Sequence, residues 1–172
     1  PVIRSLAIDG PTAAGKSVVG KGLSSLLSLY CCDTGLMYRA ATLAVLESNV
    51  DTTDEGAVIK CVQTAGIDIR WEIPEQPLVY LADLDVSASL KSPIIDRNVS
   101  AVAGIQEVRD VLVLRQKSVA SRAPVVMVGR DIGKVILPEA RTKIFLDASL
   151  DERARRRTEE MKLSGLEAKF ED

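Results

Sequence analysis

The stretch Gly10-Pro11-Thr12-Ala13-Ala14-Gly15-Lys16-Ser17 constrains this chain more than any other. It satisfies the GxxxxGK[ST] phosphate-loop pattern, whose glycines let the backbone curl until successive N–H groups point at phosphate oxygens. The helix that follows adds the positive end of its dipole. In this reading residues 10–17 cradle a nucleoside triphosphate, Lys16 bridges its β- and γ-phosphates, and Ser17 offers its hydroxyl to Mg2+. The pattern requires a strand before it and a helix after it. Residues 3–8 read as a short strand buried on both faces, and residues 17–29 form an apolar-rich stretch of helical length. The bland alternative, a glycine-rich turn capped by serine, has no need of that context.

The remaining pattern extends the same architecture. Residues 29–32 read as a second buried strand, 37–47 repeat apolar residues at helical spacing, and a further helix is predicted over 54–65. Strands alternating with helices imply a parallel α/β sheet. Residues 67–86 depart from it: β-prone pieces at 67–71 and 78–81 flank the proline-containing segment 73–77 and read as a small insertion. Pro93 is suited to opening a helix, and 98–121 carry Val102, Ile105, Val108, Leu112 and Val119 at helical spacing. Residues 125–128 and 144–146 return to buried strand, and a charged helix begins near Ser149. At 172 residues the chain fits one domain carrying an insertion.

Composition removes several chemistries. The chain has no histidine, which excludes Ser-His-Asp, Cys-His and histidine-ligated metal sites, so lysine, arginine, carboxylates and backbone must do the work. A net charge of −2 gives no broad cationic field for nucleic acid or anionic membrane, so any phosphate must be held locally. Without a spanning apolar run or a signal-peptide pattern, the expected compartment is the cytoplasm. Cys31, Cys32 and Cys61 form neither a CxxC pair nor a zinc pattern and read as reduced, partly buried thiols.

Three further motifs bear on function. In Asp33-Thr34-Gly35-Leu36-Met37-Tyr38-Arg39 a carboxylate and a hydroxyl end a strand and an arginine sits one turn into a helix. The carboxyl ends of parallel strands line the ligand crevice, so Asp33 and Thr34 face it and Arg39 can grip a second substrate's phosphate. A capped helix with a solvated arginine explains the same residues. Gly129-Arg130-Asp131-Ile132-Gly133 follows a strand directly, as a ligand loop or as a surface turn. Arg153, Arg156 and Arg157 fall on one helical face, which repels itself unless anions or the neighbouring Asp151, Glu152, Glu159 and Glu160 compensate.

Together, 7–11 through Lys16-Ser17, 33–39, 99–103, Val108-Arg109, 129–133 and 143–149 resemble the bacterial-type cytidylate kinases, nucleoside-monophosphate kinases of the P-loop class. Order and spacing match over nearly the whole chain. The resemblance implies an α/β three-layer fold with a parallel central sheet of five strands, an inserted monophosphate-binding subdomain and a lid. The division it suggests is a core at 1–66 and 122–150, an insert at 67–121, and the start of a lid at 151–172. It implies transfer of the γ-phosphate of ATP to CMP or dCMP with Mg2+, by a cytoplasmic enzyme expected to be a monomer.

By resemblance, Thr34 and Arg39, with Asp33 beside them, hold the CMP phosphate, and Ser100, Arg109 and Asp131 read cytosine. Arg130, with Arg153 and Arg157, stabilises charge during transfer. Cytosine suits these residues: a carboxylate takes its N4 hydrogen while arginine donates to its ring acceptors. Uracil would set O4 against Asp131. The chain departs from the family at Lys91, where an arginine is usual, and at its end. The family's later Asp and Arg positions and final core strand have no counterpart before Asp172. The expectation is a missing C-terminal segment or, if the molecule ends there, poor turnover and an exposed sheet edge. The competing readings are a small kinase acting on UMP, dTMP or shikimate, and a noncatalytic nucleotide-binding module.

Overall fold

The computed structural model describes residues 5–163. The first residues of the strand predicted over 3–8, and the part of the predicted lid beyond 163, lie outside them. In chain order the first elements are β1 (Leu6–Asp9), α1 (Lys16–Leu27), β2 (Tyr30–Asp33), α2 (Thr34–Glu47) and α3 (Glu55–Thr64). An antiparallel group follows: β3 (Ile67–Ile73), β4 (Gln76–Leu81) and β5 (Leu84–Asp85), with a 3-10 turn at Ser87–Lys91. Then come α4 (Pro93–Gly104), α5 (Gln106–Arg122), β6 (Val125–Gly129), a π-helical turn at Ile132–Ile136, β7 (Thr142–Phe145) and α6 (Leu150–Leu163).

Among the described residues the main sheet has four parallel strands in the order β2-β6-β1-β7. Its register decides where chemistry can occur. Asp9 lies beside Gly129 and Phe145, and Asp33 lies beside Val128, so the strands end at one level. The loop after each strand therefore opens on the same edge, the ligand side of a parallel sheet. Unbroken apolar runs make this possible: Ala7, Ile8, Cys32 and Val125 to Val128 are buried, as strands covered on both faces must be.

Local signals set the helix starts. Asp33 Oδ1 accepts from Gly35 N (3.0 Å) and Asp54 Oδ1 from Ala57 N (3.0 Å), satisfying N–H groups that α2 and α3 cannot pair internally. Pro93 opens α4. The periodicity over 98–121 predicts one helix, whereas the chain forms two, broken at Ile105. That residue is extended (φ −73°, ψ 123°) and 6% exposed, so burial of its side chain fixes the corner between α4 and α5. Arg109 Nε then closes the end of α4 by donating to Ala103 O at 2.6 Å.

The antiparallel group covers an edge of the main sheet. Cys31 N donates to Pro74 O (2.8 Å) and Trp71 Nε1 to Cys31 O (2.6 Å), so β2 presents those groups to the β3–β4 hairpin instead of to water. Ile67, Ile69, Val79, Ile95 and Leu112 join Ala7, Cys32, Met37 and Met127 in one buried apolar cluster. Anything gripped by α4 or α5 is thus referenced rigidly to the strand ends. No described helix is long and apolar enough to cross a membrane.

Candidate functional site

The loop from Gly10 to Gly15 curls through three residues with positive φ, Gly10 (152°), Ala13 (61°) and Gly15 (96°). Gly10 has a second reason to be glycine. A Cβ there would lie 2.0 Å from the carbonyl oxygen of Leu146, because the chain leaving β7 crosses directly over the loop's first residue. Lys16 Nζ is held over the loop by Pro11 O at 2.7 Å. Burial pulls its ammonium below the ordinary value; Asp33 opposes that, Arg130 adds to it, and Asp9 opposes it again. Lys16 is thus a partly desolvated cation at the start of a helix, an environment that favours a bound polyanion.

Two carboxylates flank it. Asp33 Oδ2 accepts from Ser17 Oγ at 2.5 Å while Oδ1 caps α2, so this carboxylate faces the phosphate loop. Asp9 accepts from Ile132 N (2.6 Å) and Gly133 N (2.8 Å), locking the loop after β6 to the end of β1. No spacing rule in the sequence singles out that role. Ser17 and Asp33 supply a hydroxyl and a carboxylate oxygen at one point, the hard donor set that suits Mg2+, which completes its octahedron with water and phosphate oxygens. No cluster of three or more Cys, Asp and Glu side chains arranged for a metal occurs among the described residues.

Arg130, after β6, donates from Nη2 to Thr12 Oγ1 at 2.8 Å and so reaches the phosphate loop. Thr34 Oγ1 donates to Val128 O at 2.9 Å and is buried, placing it against the end of β6, where the Arg130 loop begins. Arg39 points to the insert, where Nη1 donates to Leu90 O (2.8 Å) and Nη2 to Asp96 Oδ1 (2.5 Å).

Tyr38 marks where the two halves meet. Burial raises its phenol pKa, and the side chains that also act on it are Arg109, Gln116, Asp131 and Arg130. Arg109 from α5 and Asp131 from the loop after β6 therefore face one neighbourhood, and Arg130 joins it to Lys16. Gln116 is 3% exposed and its Nε2 has no partner, so an unsatisfied donor is buried beside Tyr38. Ser100 lies exposed on α4, three residues before the Ala103 carbonyl that receives Arg109.

The arginines of α6 separate into different roles. Arg156 reaches the phosphate loop, with Nη1 at 3.4 Å from Ala13 O and Nε on Glu152 Oε1 at 2.7 Å. Arg153 Nε donates to Ala148 O at 3.2 Å, and Arg157 pairs with Glu160 (2.8 Å) and approaches Asp96 (3.8 Å). Arg155 takes Glu152 and Glu159, so intrahelical carboxylates do offset the run's self-repulsion. Arg156 lies on the helical face that the sequence predicts but has no site role in that reading, and none of Asp96, Tyr38 and Gln116 is among the residues it singles out. Of these only Tyr38 carried a signal, since it stands within the motif at 33–39.

A family model for cytidylate kinase matches residues 6–172. Among curated relatives, the cytidylate kinase of Caldanaerobacter subterraneus subsp. tengcongensis is 48% identical over 167 residues, 97% of this chain and 72% of the relative. That of Desulforamulus reducens is 45% identical over 168 residues, 98% and 75% of the two chains. The cytidylate kinase of Lactobacillus johnsonii is 41% identical over 170 residues, covering 99% and 74%.

Proposed function

The chain belongs to the cytidylate kinase family, and on that premise we propose that it transfers the γ-phosphate of ATP to CMP or dCMP, giving ADP and CDP or dCDP. One observation carries the assignment of parts: Arg130 is bonded to Thr12 of the phosphate loop (2.8 Å) and lies near enough to act on both Lys16 and Tyr38, and Tyr38 is also within reach of Arg109 and Asp131. A donor triphosphate on residues 10–17 and an acceptor between α2, α4 and α5 would meet at that arginine.

In this reading Arg39, with Thr34 behind it, grips the acceptor phosphate, while Arg109, Asp131 and Ser100 read the base. Asp131 accepts the N4 hydrogen of cytosine and Arg109 donates to its ring acceptors; uracil would turn an oxygen on Asp131 and leave a polar mismatch. The acceptor oxygen attacks the γ-phosphorus in line and ADP leaves. Lys16 and Arg130, with Arg153 and Arg157 closing from α6, receive the charge that spreads over the transferred group. No strong general base is required, because the second pKa of the attacking phosphate lies near ~6. Ser17 Oγ and the Asp33 carboxylate would hold Mg2+, which when bound neutralises charge on the donor phosphates.

We take residues 67–121 as the acceptor-binding insert, 1–66 and 122–150 as the core, and 151–172 as part of a lid. Both substrates belong to the cytoplasmic nucleotide pool, and there we place the enzyme. The test is an ADP-release assay over CMP, dCMP, UMP, dTMP and shikimate. CMP and dCMP should exceed the others by tenfold or more in kcat/KM. Turnover of UMP equal to that of CMP would defeat the base-reading assignment, and tight binding of ATP and CMP without CDP would favour a noncatalytic module.

A further inference from the structure

Asp96, on α4, has a side chain only 8% exposed and no part in the reaction described above. Its Oδ1 receives Arg39 Nη2 at 2.5 Å and lies 3.8 Å from Arg157 Nη2. Arg39 belongs to α2 and Arg157 to α6, so one carboxylate joins a core helix, an insert helix and the last helix.

A buried carboxylate is stable only when well paired, and here the pairing also constrains the cations. Arg39 has two anchors, Leu90 O and Asp96, which fix the plane of its guanidinium. A guanidinium carries five N–H groups, so others remain to meet an oxyanion. Arg157 also pairs with Glu160 (2.8 Å), so the two guanidiniums stand against two carboxylates, and what is left for the acceptor's phosphate is the remaining N–H groups of Arg39. Removal of the carboxylate would leave two like charges facing each other and free Arg39 to rotate.

We propose that Asp96 is a positioning residue: it presets Arg39 for the acceptor phosphate and, through Arg157, couples the placement of α6 to that site. The proposal rests on the reading of Arg39 as an acceptor-phosphate ligand. Its effect falls on the acceptor and spares the donor, because none of the contacts of Asp96 involves the phosphate loop.

The experiment compares wild type, Asp96→Asn and Asp96→Glu, varying CMP and ATP separately, with calorimetric binding of CMP and of cytidine and a thermal melt for each. Asp96→Asn should raise the KM for CMP about tenfold or more, weaken CMP binding but not cytidine binding, and leave the KM for ATP within about twofold. Asp96→Glu, which keeps the charge, should recover most of the loss. Adding Arg157→Gln should cost less in the Asn background than in wild type. If Asp96→Asn does not fold, Asp96→Glu is read with and without Arg157→Gln: because the charge is kept, Arg157→Gln should cost as much in the Glu background as in wild type, and a clearly smaller cost there overturns the proposal. An unchanged KM for CMP overturns the proposal, as does a parallel rise in both KM values with a lowered melting temperature that glutamate fails to rescue. A wild-type enzyme that ignores CMP overturns the acceptor reading and this proposal together, whereas normal CMP turnover with an indifferent Asp96→Asn overturns this proposal alone.

Discussion

Ser17 Oγ donates to Asp33 Oδ2 across 2.5 Å, which fastens the first turn of α1 to the last residue of β2 at the mouth of the phosphate loop. The other oxygen of Asp33 caps α2 through Gly35 N, so the residue has two separable duties. Asparagine caps as well as aspartate but lacks the negative charge that a divalent cation requires. Asp33→Asn is therefore expected to stay within about 1 kcal/mol of wild-type stability. It should raise the Mg2+ concentration for half-maximal velocity about tenfold. Magnesium titrations at fixed ATP, beside urea melts, check both halves; equal metal dependence would remove Asp33 from the metal site.

Asp131 and Arg109 come from different elements yet both act on the Tyr38 phenol. Asp131→Asn replaces an acceptor pair with an amide that can donate to a uracil O4. The expected outcome is a 10- to 100-fold fall in kcat/KM for CMP, a value in keeping with one mismatched buried hydrogen bond. The ratio of CMP to UMP turnover should fall with it and ATP binding should persist. Equal loss of CMP turnover and ATP binding would instead assign Asp131 a structural duty.

Gly129 closes β6 with no room for a side chain. A Cβ there would stand 2.5 Å from Thr34 Oγ1 and 2.6 Å from Ile132 Cδ1. Gly129→Ala must displace the Thr34 hydroxyl from Val128 O, to which it now donates at 2.9 Å, or push back the Ile132 side chain. Overpacking of this kind costs about 1–3 kcal/mol. Because Arg130 and Asp131 follow immediately, kcat should drop as well. Wild-type stability in denaturant would show that the strand end relaxes without resistance.

The sheet and most helices were legible because their residues speak locally. The run at 125–128 is apolar, bounded by polar loops and buried as expected, and Asp33, Asp54 and Pro93 mark helix starts. The run at 144–146 does mark a strand, but β7 spans Thr142–Phe145 and is not buried, with Phe145 72% exposed. The phosphate loop was legible because its backbone geometry demands particular residues. Long-range burial was not. Ile105 belongs to the helical periodicity of 98–121, and only its packing into the core reveals it as the break between α4 and α5. Residues 132–136 gave no periodic signal, and their π-helical turn follows from Asp9 drawing in the Ile132 and Gly133 N–H groups from a strand 123 positions away in sequence. Asp96 was invisible for a similar reason, since its partners are 57 and 61 positions away, beyond the reach of any spacing rule.

Asp68 on β3 offers a test in acid. Arg122, the last residue of α5, donates Nη1 to Oδ2 (3.0 Å) and Nη2 to Oδ1 (2.5 Å), a fork that ties the end of the helix to the antiparallel sheet. Burial pushes the carboxyl pKa up, but the hydrogen bonds and charge of Arg122, with Ile69 N–H and Arg70 assisting, outweigh it and leave the group below its ordinary 3.8. A carboxylate whose folded pKa is depressed binds its proton less readily in the folded state than in the unfolded one. Its contribution is therefore complete above about pH 4 and is lost as pH falls through the lowered folded value. Water reaches this pair, which limits it to about 1 kcal/mol or less. Wild type should exceed Asp68→Asn in urea stability by that amount at pH 7. The gap should hold down to about pH 4 and close below it, where both side chains are neutral. A gap that persists at pH 2.5 would locate the stabilisation in hydrogen-bond geometry instead of charge.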